Sequence, residues 1–238
     1  EVVGVLTDNH LAVSPTSRAA EALSLPILGF EEALEKSETG ELEIDLLLSV
    51  LYWRRMRGAL LSDSRLGAIN FHPAPLPEYK GTAGYNLAIL EGLCEWGVSA
   101  HYMDEGIDTG GIIEVDRFAI DVEAETVRSL ETKCMERIKT QFLRVVGATL
   151  SANAKLPAAA NEGGRYISRL EMEAMKEIQP GDDVARKIRA FWYPPYDGAY
   201  VIIEGEKYSL VDRTLLQQFA DPASSSLFSP AAKEGLKA

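Results

Sequence analysis

The sequence is poor in the residues and patterns on which several classes of protein depend. It has only two cysteines, Cys94 and Cys134, too few for a disulfide framework or a cysteine zinc site. No apolar run approaches the roughly 18 residues of a membrane-spanning helix, and we find no signal peptide. The three histidines lie far apart, without the spacing of metal ligands. We therefore expect a cytoplasmic protein with no metal and no membrane partner.

Positive charge is also scarce. The chain has 24 basic and 36 acidic residues among its 238, a formal net charge of −12. Nucleic-acid binding depends on lysine and arginine side chains that neutralise phosphates, so an acidic chain is a poor general platform for it. We expect small-molecule substrates and no nucleic acid, although a local basic patch is compatible with this balance.

Apolar runs alternate with helical patterns over residues 1–150. Residues 44–51 are almost continuously apolar, as expected for a parallel strand that is covered on both faces. Residues 67–72, 96–103 and 111–118 are typical of further strands. Residues 124–150 have apolar side chains at three- and four-residue spacing, which predicts a long helix. This alternation predicts an α/β fold with a mostly parallel, Rossmann-like sheet and helices on both faces.

The pattern changes after residue 152, and we predict a catalytic domain over residues 1–152 with a small C-terminal subdomain over residues 153–212. Residues 151–164 are rich in Ala, Asn and Gly and look like a linker. Further on, Glu204-Gly205-Glu206 lies between two apolar runs and predicts a β-hairpin. Residues 213–238 look like a flexible tail.

The hairpin carries four consecutive apolar residues, from Tyr200 to Ile203. In an isolated hairpin these would expose apolar side chains on both faces, and such surface usually meets something. Packing within the same chain and a twofold dimer explain it equally well. We expect a homodimer, because twofold dimers are the commonest closed assembly.

Two polar segments mark the candidate site. Asn70 and His72 end a predicted strand and precede a proline-rich turn, and Asp108 lies in a glycine-rich loop after another strand. Ligands of parallel sheets bind beyond the carboxyl ends of strands, and residues two apart share a face. An amide, an imidazole and a carboxylate around one point can stabilise an oxyanion, move a proton and orient the proton carrier. His101 lies in mid-strand, and we expect a buried core residue that supports the site at most.

These segments resemble the folate-dependent formyltransferase family, which includes glycinamide ribonucleotide, methionyl-tRNA and sugar-nucleotide formyltransferases. The family pattern Asn-x-His-Pro-x-x-Leu-Pro-x-Tyr-(Lys/Arg)-Gly, then Asp-Glu-Gly-x-Asp-x-Gly, is complete over residues 70–81 and 104–110. The resemblance implies 10-formyltetrahydrofolate as formyl donor, an amine as acceptor, and Asn70, His72 and Asp108 as catalytic residues. Asp108 would orient His72 and favour its charged form. The resemblance also implies folate contacts at Arg54, Met56, Glu105, Ile107 and Asp108.

The region after residue 151 indicates the acceptor. Residues 164–169 and 188–199 resemble the C-terminal region shared by methionyl-tRNA and sugar formyltransferases, but this region is short here. A tRNA enzyme is expected to have a longer, basic C-terminal domain, so the resemblance is closest to the sugar-nucleotide N-formyltransferases. A methionyl-tRNA formyltransferase-like enzyme and an inactive folate-binding member are the alternatives. The acceptor-binding candidates are Tyr79, Lys80 and Tyr85, with Lys80 as a point charge for a pyrophosphate.

The chain departs from its family at its first residues. Relatives have a further strand and helix before the segment that matches Glu1, and we do not find that unit here. Either the chain is shortened or the edge of its sheet is built differently. The loop of that unit often helps to bind the acceptor, so acceptor binding is the property that this difference affects.

Overall fold

The structure is a computed structural model that describes residues 1–7 and 14–219. Strands and helices alternate through most of this part, as the apolar pattern predicts. The strands are β1 (Val5–Leu6), β2 (Ile27–Leu28), β3 (Leu46–Val50), β4 (Gly67–His72), β5 (Tyr79–Gly81), β6 (Glu95–Tyr102), β7 (Ile112–Ala119), β8 (Arg165–Ile167), β9 (Tyr200–Ile203) and β10 (Glu206–Ser209). The helices are α1 (Pro15–Ala22), α2 (Phe30–Glu38), α3 (Ala59–Ser62), α4 (Gly84–Leu90), α5 (Val127–Ala152), α6 (Arg169–Ala174), α7 (Val184–Phe191) and α8 (Arg213–Phe219).

The main sheet has four strands in the order β3-β4-β6-β7. β3 and β4 are parallel, with Leu46 opposite Gly67, and β1 and β2 form a separate parallel pair. The α/β class is confirmed, and the parallel pairing that we predicted holds for the strands up to β4. β6, in contrast, runs antiparallel to both β4 and β7. β3, β4 and β7 therefore run in one direction, as expected for a mostly parallel sheet, and β6 alone is reversed. Apolar runs indicate that a strand is buried but carry no signal for its direction, so the sequence pattern did not reveal this reversal.

Helices cover both faces of the main sheet, as predicted. Side chains alternate along β4, so Ile69 and Phe71 face the long helix α5, while Ala68 packs on the other face. Asn70 and His72 share the face of Ala68 and lie at the end of the strand. The side chains that join the α5 cluster include Leu130, Cys134, Ile138 and Val145, and those of the opposite cluster include Phe30, Ala33, Leu47, Met56 and Leu60.

The C-terminal region packs on α4 and on the segment before it. β8 pairs in parallel with β5, with Gly81 opposite Ile167, and Phe191 of α7 shares a hydrophobic cluster with Leu87 of α4. The predicted hairpin is confirmed as β9 and β10, with Tyr208 opposite Val201. The small hairpin-bearing region after α5 is therefore present, in close contact with the larger part of the chain.

Two segments that we expected to be irregular contain ordered structure. Within the expected linker, Ala159 exchanges two backbone hydrogen bonds with Ile112 at 2.8 and 2.9 Å. The expected tail starts with helix α8. This helix packs on the rest of the chain through Leu215, which is buried in the cluster that α4 and α7 share. The rest of that predicted tail, residues 220–238, lies outside the described residues. In the described ranges, no helix is long and apolar enough to cross a membrane.

Candidate active site

The proline-rich turn after β4 is tied to β6 by side-chain hydrogen bonds. Trp96 Nε1 donates to the Pro73 carbonyl at 3.1 Å. The Leu76 N–H donates to Ser99 Oγ at 2.9 Å, and that hydroxyl donates to the Ala74 carbonyl at 2.7 Å. These contacts fix the turn, so the chain returns beside His72 and forms β5 there.

The loop that carries Asp108 is closed by its own acidic side chain. Asp104 Oδ1 accepts hydrogen bonds from the Gly106 N–H at 2.8 Å and from Thr109 Oγ1 at 2.6 Å. Asp108 has a φ of 55°, a left-handed conformation that costs a non-glycine residue about 1–2 kcal/mol. A Cβ at Gly110 would lie 2.0 Å from the Tyr102 carbonyl oxygen, so this position needs glycine. The loop thereby turns back and directs Asp108 towards the end of β4.

The Asp108 carboxylate lies between two histidines. Its Oδ2 is 3.5 Å from His72 Nδ1 and its Oδ1 is 3.4 Å from His101 Nε2. The Gly81 N–H donates to Oδ2 at 2.9 Å, and Asn70 Nδ2 is 3.5 Å from Oδ1. The structure therefore brings together the three residues that the sequence motifs indicate.

His101 joins this group because β4 and β6 are antiparallel, with Asn70 directly opposite His101. His101 Nδ1 lies 2.7 Å from the Tyr102 carbonyl, which can only accept, so Nδ1 carries the hydrogen. In the neutral ring, Nε2 then accepts from Asn70 Nδ2 at 3.1 Å. This contact orients the Asn70 amide with its nitrogen towards Asp108. A polar residue inside an apolar strand was the signal in the sequence, and the strand direction was the missing information.

Burial and neighbouring charges set the protonation of the two central groups. Burial by itself raises the pKa of Asp108, but the neighbouring His101, His72 and the Gly81 N–H bring that pKa below its ordinary value. Burial lowers the pKa of His72, and this exceeds the raising effects of Asp108 and the Tyr79 carbonyl. An ionised Asp108 beside a neutral His72 is therefore the favoured state. Asp108 does favour the charged form of His72, as the resemblance implies, but the burial of this residue, which is 5% exposed, outweighs that effect.

The neutral His72 ring has a defined direction. Its Nε2 is 2.9 Å from the Tyr79 carbonyl oxygen, and a carbonyl only accepts, so Nε2 carries the hydrogen. The lone pair is then on Nδ1, beside Asp108 Oδ2. A proton that arrives at Nδ1 gains the nearby carboxylate as its hydrogen-bond acceptor. This pair of residues can therefore take up a proton from a reacting group.

A cleft of about 160 Å³ opens beside Asn70, His101 and Asp108, between the segment after β3 and the Asp108 loop, whereas His72 is not among its lining residues. Four of the five residues that we expected to contact folate line it. The fifth, Glu105, is exposed and pairs with Arg55 at 3.4 Å. Among residues 1–7 and 14–219, no three His, Cys, Asp or Glu side chains are placed to hold a metal ion. The cleft is lined by Ser49, residues 52–56, Asn70, His101, Met103, Asp104 and residues 106–108.

The three candidate acceptor residues have different surroundings. The Tyr79 ring packs on Trp96 at 4.9 Å, and burial together with its hydrogen bond to Glu91 raises the pKa of Tyr79 to about 12. Burial also raises the pKa of Tyr85, whose hydroxyl has no partner within the described part of the chain. Lys80 Nζ lies 3.4 Å from the carbonyl of Asn161, beside the Asp108 loop. Lys80 is thus near the Asp108 loop, whereas Tyr79 contributes its backbone carbonyl, which accepts from His72 Nε2.

Comparisons with known proteins agree with the resemblance of the two motifs. Residues 12–146 match the family model described as formyl transferase. The chain is 31% identical over 212 residues to the methionyl-tRNA formyltransferase of Listeria welshimeri. This alignment covers 86% of this chain and 66% of that protein. The chain thus spans just under two thirds of the length of this curated relative.

Solved structures share the fold. A 4-N formyltransferase from Francisella tularensis superposes with a TM-score of 0.71 at 24% identity, over 87% of this chain and 84% of that one. The N-formyltransferase from Helicobacter canadensis, in complex with folinic acid and dTDP-3-aminofucose, gives 0.64 at 24% identity, over 80% and 68% of the two chains. With the family model matched over more than half of its residues, the chain belongs to the formyl transferase family.

Proposed function

We propose that the protein transfers the formyl group of 10-formyltetrahydrofolate to the amine of a nucleotide-linked amino sugar. The observation that carries this proposal is the convergence of three side chains: Asn70 and Asp108 line the cleft, and His72 lies behind them with its Nδ1 3.5 Å from Asp108 Oδ2. An amide donor, a neutral imidazole and an ionised carboxylate suit attack by an amine on a formyl carbon. Membership of the formyl transferase family supports the same reaction.

The chemistry assigns one role to each side chain. The acceptor amine attacks the formyl carbon, and the oxyanion that forms accepts a hydrogen bond from Asn70 Nδ2, in place of the long 3.5 Å contact of that nitrogen with Asp108. His72 Nδ1 removes the proton that the amine must lose, and Asp108 stabilises the resulting imidazolium. When the tetrahedral intermediate collapses, the bond from the formyl carbon to N10 of the folate breaks. The proton held by His72 then goes to the departing nitrogen, directly or through water.

The cleft supports folate as the donor. Met56 is 5% exposed and Ile107 is 45% exposed, so the walls offer apolar surface to an aromatic ring system. Arg54 lies on the same wall, with its guanidinium 4.6 Å from the centre of the Phe30 ring. The relative from Helicobacter canadensis was crystallised with folinic acid. We propose no role for a metal, because neither the sequence nor the described side chains supply a ligand cluster.

The choice of acceptor rests on the charge of the chain. With a net charge of −12, the chain is poorly suited to tRNA, whose binding needs cationic surface. A nucleotide-linked amino sugar needs only a small site, and Lys80 is our candidate for contact with its pyrophosphate. Methionyl-tRNA is the second candidate, because the Listeria welshimeri relative is 31% identical.

The assembly and the location are part of the same proposal. Ile202 and Ile203 are 55% and 54% exposed on the hairpin, and Tyr208 is 51% exposed. Because consecutive strand residues point to opposite faces, Ile202 and Ile203 lie on different faces of the hairpin, and we propose that the face carrying Ile202 forms a twofold dimer. We also propose that the protein acts in the cytoplasm, where the exposed thiol of Cys94 stays reduced. The division at residue 152 separates the catalytic domain from the small region that carries the hairpin.

A substrate screen tests the function. Purified protein with 10-formyltetrahydrofolate is incubated with a panel of amino-sugar nucleotides and, separately, with methionyl-tRNA, and formylated product is measured by mass spectrometry. We expect turnover with at least one amino-sugar nucleotide, unchanged by a chelator and lost in Asp108→Ala. A higher kcat/KM with methionyl-tRNA would establish the second candidate. Folate binding without turnover on any acceptor would identify an inactive family member.

A further inference from the structure

Asn161 lies in the segment after α5 and contacts the backbone on both sides of Asp108. Its Nδ2 donates to the Asp108 carbonyl at 3.0 Å and to the Gly110 carbonyl at 2.8 Å. Nothing in the sequence motifs marks this residue, since it lies 53 positions after Asp108 in a stretch that looks like a linker. It is nevertheless the side chain that joins this stretch to the loop of the site.

The two carbonyls decide how the Asn161 amide is turned. Both are acceptors, so both must face the nitrogen, and the amide oxygen is directed elsewhere. Asn161 Oδ1 is buried and has no hydrogen-bond partner in the described part of the chain. Leaving a buried acceptor unpaired costs free energy. The side chain therefore gains its hydrogen bonds only through its nitrogen, to the Asp108 and Gly110 carbonyls, within the described part of the chain.

The backbone around Asn161 is fixed independently of its side chain. Ala159 is held to Ile112 at the start of β7 by two backbone hydrogen bonds. On the other side, the Arg165 N–H donates to the Glu78 carbonyl at 2.9 Å, and β8 then pairs with β5. The Asn161 amide thus lies on a segment that is anchored at both ends, next to the loop that carries Asp108.

We propose that Asn161 is a positioning residue for the reaction and acts through Asp108. Asp108 adopts a left-handed backbone conformation with a φ of 55°, which a non-glycine residue keeps only when its surroundings impose it. Asn161 supplies that restraint at the Asp108 carbonyl, while the Gly81 N–H holds the carboxylate at 2.9 Å. Together they keep the carboxylate beside His72 Nδ1. This inference rests on the proposed formyl transfer for its kinetic consequence, but its geometric consequence is independent of any activity.

Two substitutions of Asn161 distinguish the loss of its two donated hydrogen bonds from the loss of its side-chain volume. Asn161→Asp keeps the shape but turns an oxygen towards two carbonyl oxygens, and Asn161→Ala removes both donors without adding charge. A displaced catalytic group can cost about 10²-fold in rate. We expect kcat to fall about 10²-fold in Asn161→Asp and about tenfold in Asn161→Ala, with KM for the folate within about twofold of wild type.

The matched control is Asn153→Asp, at another asparagine of the same region. Asn153 ends α5, and its Oδ1 accepts from Arg65 at 2.9 Å, so a carboxylate there keeps its partner. This variant should retain wild-type kcat, which excludes a general effect of one added negative charge. Melting temperatures of all variants are measured, because a purely structural role for Asn161 would lower the melting temperature and leave kcat at 20 °C unchanged. That result would overturn the proposal.

A second measurement does not depend on turnover. NMR titration of the His72 ring is compared between wild type and Asn161→Ala. Asp108 raises the pKa of His72, so a carboxylate that moves away from the ring lowers that pKa further. An unchanged His72 titration would overturn the inference even if formyl transfer is established. A lowered pKa would support it even if no acceptor is ever found. If Asn161→Ala does not fold, Asn161→Ser, which keeps one donor, is used in the same two measurements, with a smaller change expected in each.

Discussion

The main sheet and the segment after α5 both reach Asp108, but they contribute chemistry of different kinds. The ends of β4 and β6 and the loop that follows supply the amide, the imidazole and the carboxylate that we propose for the reaction, together with a second imidazole, of His101, that orients the amide. The segment after α5 supplies backbone pairing and one amide that contacts carbonyl groups. The groups proposed for the reaction thus occur in compact motifs, whereas one of the groups that hold them, the Asn161 amide, comes from a distant part of the chain.

The largest effects should follow from removing the side chains at the ends of the strands. We expect His72→Ala and Asp108→Ala each to lower kcat by about 10² or more, by loss of proton transfer and of its support. Asn70→Ala should cost about 10²–10³, the scale of one oxyanion donor. Steady-state kinetics with circular dichroism as a folding control measure this. Near-native turnover in any one of the three would remove that residue from the mechanism, and a change in KM alone would make it a binding residue.

His101 belongs to the main sheet, but it acts by orienting another side chain and not by contact with the substrate. Its Nε2 accepts from Asn70 and orients the amide, and no bond to substrate is needed for that role. His101→Phe, which fills the same buried space without an acceptor, should lower kcat about tenfold, less than Asn70→Ala does. In a double-mutant cycle, the two substitutions should be non-additive, because both remove the same oriented donor. Additive losses would show that His101 acts independently of Asn70.

A smaller effect concerns stability against pH. The pKa of His72 is lowered by burial, so between its folded value and 6.5 the unfolded chain binds more protons than the folded one. The neutral, buried His72 therefore contributes stability above pH 6.5 that is lost as pH falls through this window. Urea denaturation at pH 7.5 and pH 5 should show a decrease in the free energy of unfolding. His72→Gln, which keeps a donor for the Tyr79 carbonyl, should reduce this decrease, and an unchanged pH dependence would contradict the assignment.

A substitution on the hairpin should have the smallest effect on the reaction. Ile202 is 55% exposed, far from the cleft in sequence, and it lies opposite Lys207 in the β9–β10 pair. Ile202→Lys should shift the protein from a dimer of about twice the 26.1 kDa chain mass towards monomer, with kcat within about twofold of wild type. Light scattering measures the mass, and Glu206→Lys is the control for added positive charge on the same hairpin. A wild-type protein that is monomeric at micromolar concentration would exclude this dimer.

Much of the fold was open to prediction because its signals are local. The apolar runs at β3 and β4, the three- and four-residue spacing of α5 and the hairpin turn at Glu204–Glu206 each depend on residues close together in the chain. The short elements β5, β8, α6 and α8 carry too few residues for a periodic pattern. They form because β5 and β8 pair with each other and because Leu215 finds a buried cluster. These are contacts between segments that no local pattern reports.

The sequence alone determined which side chains we propose for the reaction: Asn70 and His72 by their spacing at a strand end, and Asp108 by the glycine-rich loop that brings it back. Only the tertiary structure decided their states and partners. The antiparallel register placed His101 opposite Asn70, and burial made His72 neutral in spite of its carboxylate neighbour. Packing against β7 and β5 brought Asn161 to the Asp108 loop. Strand direction, desolvation and long-range hydrogen bonds depend on how distant segments meet, and this information is absent from spacing along the chain.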